Sequence, residues 1–314
     1  MSLSSQFSGL LLGFPNTLTG LTQRLSRMGI TSSVGFLSRT AQAARAHRWG
    51  EVNSAHHVMG CTPLPKGGLD VEVLISAHGY RKYIESAVAS AIRALDVLGT
   101  NGYEGGVVMV EDHGGDGSWE WAMDFAARCH RPFRLIQPQV NVGLTAVRNL
   151  ALFSSSAKRI FILDADNEVC EDGLLNLLNA MNASNSQAAY GALKMVNEQG
   201  DPLGWLSNAP PNLNHLLRTG NHIDAMAMFD LATLKKMGGY DPIMLRHGWG
   251  CEDYDLWLRL LTQGRSVEFV PDVVVGKYLV KKGSMSLSAN VRTSTSMASY
   301  FQKKFAPDFT AAKV

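Results

Sequence analysis

A chain of 314 residues, 46% hydrophobic and 18% charged, has the make-up of a globular protein and excludes a fibrous or disordered one. Its length allows one large domain or two small ones, with a core that needs no disulfide or metal staples. A formal net charge of +2 gives no global pull toward nucleic acid, so no nucleic-acid partner is expected.

The first 68 residues stand apart. They hold six bases (Arg24, Arg27, Arg39, Arg45, Arg48, Lys66) against the acid Glu51, a balance of +5, whereas the rest carries 23 bases and 26 acids, a balance of −3. Leu18, Leu21, Leu25 and Met28 recur at helical spacing, and short helices are predicted over 18–29 and 38–58. Leu10 to Phe14 is apolar but lacks the flanks of a signal peptide, and no apolar run reaches the ~18–20 residues of a membrane span. Cys61-Thr-Pro-Leu-Pro-Lys-Gly-Gly68 reads as a linker, placing a boundary near residue 68. Cys61, Cys129, Cys170 and Cys251 form no C-x-x-C pair, so a reducing, cytoplasmic setting is expected.

From residue 70 strands and helices alternate. Strands are predicted over 71–75, 107–110, 134–136 and 159–163, and helices over 81–98, 117–130, 143–156 and 171–182. That order implies βαβ units and a mostly parallel central sheet flanked by helices, an α/β fold. Ligands of such sheets bind beyond the carboxyl ends of the strands. There the chain places Ser76-Ala-His-Gly-Tyr80, then Glu111-Asp112-His-Gly-Gly-Asp116, then Asp164-Ala-Asp166-Asn167.

In Asp164-Ala-Asp166 two carboxylates two residues apart point the same way in an extended chain. Such a pair suits a hard divalent cation, Mg²⁺ or Mn²⁺, although aspartates also cap helices and make turns. Glu111-Asp112 can accept a nucleobase N–H or hold a ribose hydroxyl, or form a solvated turn. Gly248-Trp249-Gly250-Cys251-Glu252-Asp253 leads into an apolar helical stripe of Leu256, Leu260 and Leu261. Its two acids either favour the helix start electrostatically or supply a general base to a substrate hydroxyl. There is no G-x-G-x-x-G after these strands, no G-x-x-x-x-G-K-[ST], no H-E-x-x-H and no G-x-S-x-G. His56-His57 reads as a surface pair on a helix rather than a metal site.

Taken in order, these segments resemble glycosyltransferase family 2 on the GT-A (nucleotide-diphospho-sugar transferase) fold. The likeness runs from about residue 70 to 286 and includes Asn141-Val-Gly143-Leu-Thr-Ala-Val-Arg148-Asn149 and Met228-Phe229 through Gly238-Gly239-Tyr240-Asp241. It implies a small helical extension and linker over 1–68 and a catalytic domain over 69–314. The nucleotide-binding half would span about 69–167 and the acceptor half about 168–290. It further implies an inverting, metal-dependent transfer from a nucleotide sugar, a UDP-sugar first, to a glycan or lipid-linked acceptor. Asp112 would then contact the base and Ser76 line the uridine pocket. Asp164 and Asp166 would hold ribose and the metal-bound diphosphate, with Asp166 the direct ligand. Asp253 would be the base and Glu252 its neighbour at the acceptor. Arg148 would approach the donor or brace the D-x-D turn.

One departure stands out. The family often ends in a segment whose histidine completes the metal site; here Tyr278-Leu-Val-Lys281-Lys-Gly-Ser284-Met-Ser286 puts Lys281 at that place. The metal then has fewer protein ligands, or Lys281 or Lys282 neutralises the diphosphate. Trp205, His222 and Trp249 are candidates for sugar contact, with core or loop packing as the alternative. Two rivals are a sugar nucleotidyltransferase and a non-catalytic nucleotide- or glycan-binding module on the same fold. Residues 1–60 are expected to pack on the domain or another subunit, or to lie on the inner face of a membrane.

Overall fold

In the computed structural model, residues 55–244, 250–281, 297 and 299–305 are described. The strands are β1 (His56–Met59), β2 (Val71–Ala77), β3 (Gly105–Glu111), β4 (Phe133–Gln137), β5 (Arg159–Asp164), β6 (Glu168–Val169), β7 (Ala188–Val196), β8 (Pro202–Leu206), β9 (Met228–Asp230) and β10 (Val267–Leu279). The helices are α1 (Arg81–Thr100), α2 (Ser118–Ala126), α3 (Leu144–Ser154), α4 (Gly173–Ser184), α5 (Leu213–Thr219), α6 (Leu231–Lys236) and α7 (Glu252–Thr262). The strands join in the order β1-β4-β3-β2-β5-β9-β7-β10-β6, with β8 paired to β7.

Every residue of β2 and β3 is buried, because helices cover both faces of the sheet. Val71, Val73 and Ile75 pack on one side with the apolar faces of α1 and α4. Leu74, Val108 and Ile162 pack on the other with α3 and α7. Glu72, 1% exposed within β2, survives there because Arg134 on β4 holds both its oxygens, at 2.8 and 2.7 Å.

The parallel sheet expected from the βαβ order holds for β4-β3-β2-β5. Beyond β5 the pairing is mixed: β9 runs antiparallel to β5 and β7, and β10 returns parallel to β7. The helix predicted over 38–58 is corrected at its end, since His56–Met59 form β1, antiparallel to β4. His56 and His57 are indeed exposed, but on a strand at the edge of the sheet. Pairing with β4 outweighs the weak helical spacing there. The helices predicted over 18–29 and 38–54 lie outside the described residues. No helix among the described residues is long and apolar enough to cross a membrane.

Candidate active site

The carboxyl ends of β2, β3 and β5 and the start of α7 meet at one edge of the sheet, and each brings a motif. Asp112, just beyond β3, is 3% exposed. Its Oδ1 accepts the Val142 amide and its Oδ2 the Gly143 amide, each at 2.7 Å. Burial raises this carboxyl's pKa, and the two amides offset only part of the rise. Gly143 has φ +86° and offers no capping side chain, so Asp112 orders the entry to α3 from across the chain. The Asp112 carbonyl accepts from Asn141 Nδ2 at 3.0 Å, and His78 Nδ1 lies 2.8 Å from it. Asp116 accepts the Arg81 amide at 2.7 Å and so anchors the start of α1.

Helix α3 carries Arg148 inward, to 1% exposure. One guanidinium nitrogen donates to Asp164 Oδ1 and another to Glu252 Oε1, each at 2.7 Å. Burial works against its charge, but the Asp164 and Glu252 carboxylates beside it keep it charged. The Asp164-Ala-Asp166 turn at the end of β5 and the acidic start of α7 are thus joined by one side chain. Asn149, next along α3, accepts the Tyr240 amide and donates to the Tyr240 carbonyl, both at 2.8 Å. A Cβ on Gly239 would lie 2.3 Å from Asn149 Oδ1, and Gly239 has φ +71°, so glycine is required there.

Ser76, at the end of β2, lies 3.5 Å from Asp164 Oδ1. Asp166 Oδ2 is 2.8 Å from Lys281 Nζ. Asn167 Oδ1 accepts the Leu279 amide at 2.9 Å, which ties the D-x-D turn to the end of β10. Asp253 is held through Oδ2 by Asn221 Nδ2 at 2.9 Å. Burial, then Glu252 and Asp224, push its carboxyl well above the usual carboxylate range.

Sequence reasoning did not single out Asp224, Asn221, Tyr80 or Tyr83. Burial, and next the charge of Asp164, push Asp224 up to about 7, with Asp166 adding to the shift. An isolated acid in a loop carries no sequence signal. Tyr80 and Tyr83 are spaced for one helix face, which was the available hint. His222 lies beside Asn221 with its ring edge-on to His215, centroids 4.9 Å apart. Trp205 sits on β8, 50% exposed and opposite Lys194, among none of the site contacts above. Trp249 and Lys282 lie outside the described residues.

A sheet of this order with carboxylates crowded at its edge defines a GT-A type α/β domain. The chain belongs to glycosyl transferase family 2, whose model matches residues 72–238. A second model, "N-terminal domain of galactosyltransferase", matches 221–282, the stretch from Asn221 through Glu252-Asp253 to Lys281. Among solved structures, S. aureus TarS 1–349 in complex with UDP-GlcNAc is 18% identical, with a TM-score of 0.56 over 70% of this chain and 61% of that one. TarS 1–349 in complex with UDP is also 18% identical, with a TM-score of 0.55 over 68% of this chain and 61% of that one. The chain therefore spans about three-fifths of the length of these structures, and at such identity they bear on the fold alone. No curated protein matches it.

Proposed function

We propose that this chain is an inverting glycosyltransferase that moves a sugar from a nucleotide sugar, a UDP-sugar in first place, to a hydroxyl of a glycan or glycoconjugate acceptor. The observation that carries the reading is Arg148, which holds the D-x-D acid Asp164 and the α7 acid Glu252 on one guanidinium. A donor at the strand ends would then lie directly beside the carboxylate of Asp253. The complexes of TarS with UDP and UDP-GlcNAc support the donor class.

In this reading the acceptor oxygen attacks the anomeric carbon as Asp253 takes its proton. The bond from that carbon to the diphosphate oxygen breaks, and the nucleoside diphosphate leaves with the electron pair. A single displacement inverts the carbon. Asn221 aims Asp253 by holding Oδ2, and the raised affinity of this carboxyl for a proton suits a general base near neutral pH, a contribution of ~10²–10⁴-fold. The Mn²⁺ or Mg²⁺ expected on Asp164 and Asp166 meets a donor set that does not fit it. Arg148 takes Asp164 Oδ1 and Lys281 takes Asp166 Oδ2, so a cationic group already occupies one oxygen of each carboxylate that the ion would use.

The test is thermal stabilisation by UDP, GDP and dTDP, followed by release of nucleoside diphosphate from UDP-sugars over a panel of glycan acceptors. Stabilisation by one nucleotide, with turnover lost in Asp253→Asn, is the expected result. Binding without turnover on any acceptor selects the non-catalytic module, and release of pyrophosphate selects the nucleotidyltransferase.

A further inference from the structure

The clearest feature that a nucleotide-sugar site does not by itself explain is the housing of Lys281. Its Nζ lies 2.8 Å from Asp166 Oδ2, with the side chain 15% exposed. The same nitrogen lies 4.1 Å from the ring centroid of Tyr80 and 4.3 Å from that of Tyr83. The two rings are tilted 56° to one another, so they and the carboxylate form a cage of the kind that binds an ammonium. The cage is built from several directions. Glu198 accepts from the Tyr83 hydroxyl at 2.7 Å and from Lys82 at 2.8 Å, fixing one ring. The Leu279 amide on Asn167 and the Val280 amide on the Val196 carbonyl, at 2.9 and 2.8 Å, fix the backbone that delivers the lysine.

We propose that Lys281 is the resident counter-charge for the donor diphosphate, and that the chain binds its donor without a divalent cation. The inference rests on the nucleotide-sugar reading above. An ammonium and a divalent ion cannot share one Asp166 carboxylate at low cost. Like charges a few ångströms apart on one carboxylate repel, and a divalent ion doubles the repulsion a monovalent one would feel. The ammonium has three N–H donors, so it can keep Asp166 and still donate to a phosphate oxygen. Placed between them, it also separates Asp166 from the diphosphate's own negative charge. The aromatic faces hold the nitrogen in place before the donor arrives, so little ordering is left to the binding step.

The experiment is calorimetric titration of UDP into the wild type and into Lys281→Met, Lys281→Arg and Lys281→His, each in EDTA and in Mn²⁺, with a thermal melt to confirm folding. The wild type should bind UDP with a Kd that agrees within about twofold in the two buffers. Lys281→Met should weaken binding in EDTA by about tenfold or more, with Lys281→Arg, which keeps the charge, falling between. Lys281→His, which removes the ammonium and offers a ligand nitrogen, should bind UDP more tightly in Mn²⁺ than in EDTA. Wild-type binding about tenfold weaker in EDTA overturns the inference and leaves the nucleotide-sugar reading intact. A folded Lys281→Met that binds as the wild type does in EDTA also overturns it. If Lys281→Met does not fold, Lys281→Arg and Lys281→His decide the matter. Failure of the wild type to bind UDP in either buffer overturns the inference, and failure of GDP and dTDP as well in the thermal test above overturns both readings.

Discussion

Asp164 and Glu252 lie far apart in the chain yet bind opposite ends of one guanidinium, that of Arg148, at 2.7 Å each. Removing the arginine leaves two carboxylates short of their counter-charge, one of them 5% exposed. Arg148→Met should cost about 3–5 kcal/mol in urea unfolding, the range for breaking a buried ion pair from one side. Arg148→Lys should recover only part of it, because a single ammonium cannot present a separate, fixed N–H to each acid.

With Asp253 as the base proposed above, the pH profile should follow this carboxyl. A general base works unprotonated, and burial, Glu252 and Asp224 raise this carboxyl's hold on its proton while Arg148 opposes them. The rate at subsaturating substrate should therefore climb as pH rises through neutrality. Asp224→Asn removes one of the raising charges, so the midpoint of that climb should move to lower pH. An unmoved midpoint would separate Asp224 from the base.

Asp224 also bears on stability. Its pKa is raised from 3.8 to about 7, so the native state holds this proton more tightly than the unfolded chain does. No cost arises below the unfolded value. The cost builds as pH rises from about 4 to about 7 and then stays constant. Asp224→Asn should match the wild type in a thermal melt at pH 4 and exceed it at pH 8, by about 2 kcal/mol after allowing for screening.

The paired glycines ahead of Tyr240 should respond differently to alanine. Both have positive φ, +82° for Gly238 and +71° for Gly239. A Cβ at Gly238 meets nothing within 4 Å, so Gly238→Ala should cost only the left-handed conformation, about 1–2 kcal/mol. Gly239→Ala adds a clash with Asn149 Oδ1 and should cost clearly more, by about 1–3 kcal/mol. Comparing the two melting curves checks this.

The strands β2 to β5 and the acids at their ends were legible because strands with buried cores read as apolar runs and the turns after them as Gly and Asp clusters. The sheet beyond β5 was not, since β9 is three residues long and β10 finds its register on β7 only through the folded chain. The sequence leaves Arg148 either a donor contact or a brace; spacing carries no distance, and only the packing of α3 reveals that it grips Asp164 and Glu252. The cage around Lys281 joins the start of α1 to the end of β10, a juxtaposition that no local pattern encodes.

The Asp112 carboxylate bears on how this domain can be re-engineered. It grips the backbone ahead of α3, α3 carries Arg148, and Arg148 grips the acids of both halves. These are links in series, so the half of the domain beyond β5 is not a module to be exchanged at will. A graft of α7 from another such protein would arrive with its acid unmatched unless the host already carries an arginine at the same turn of α3.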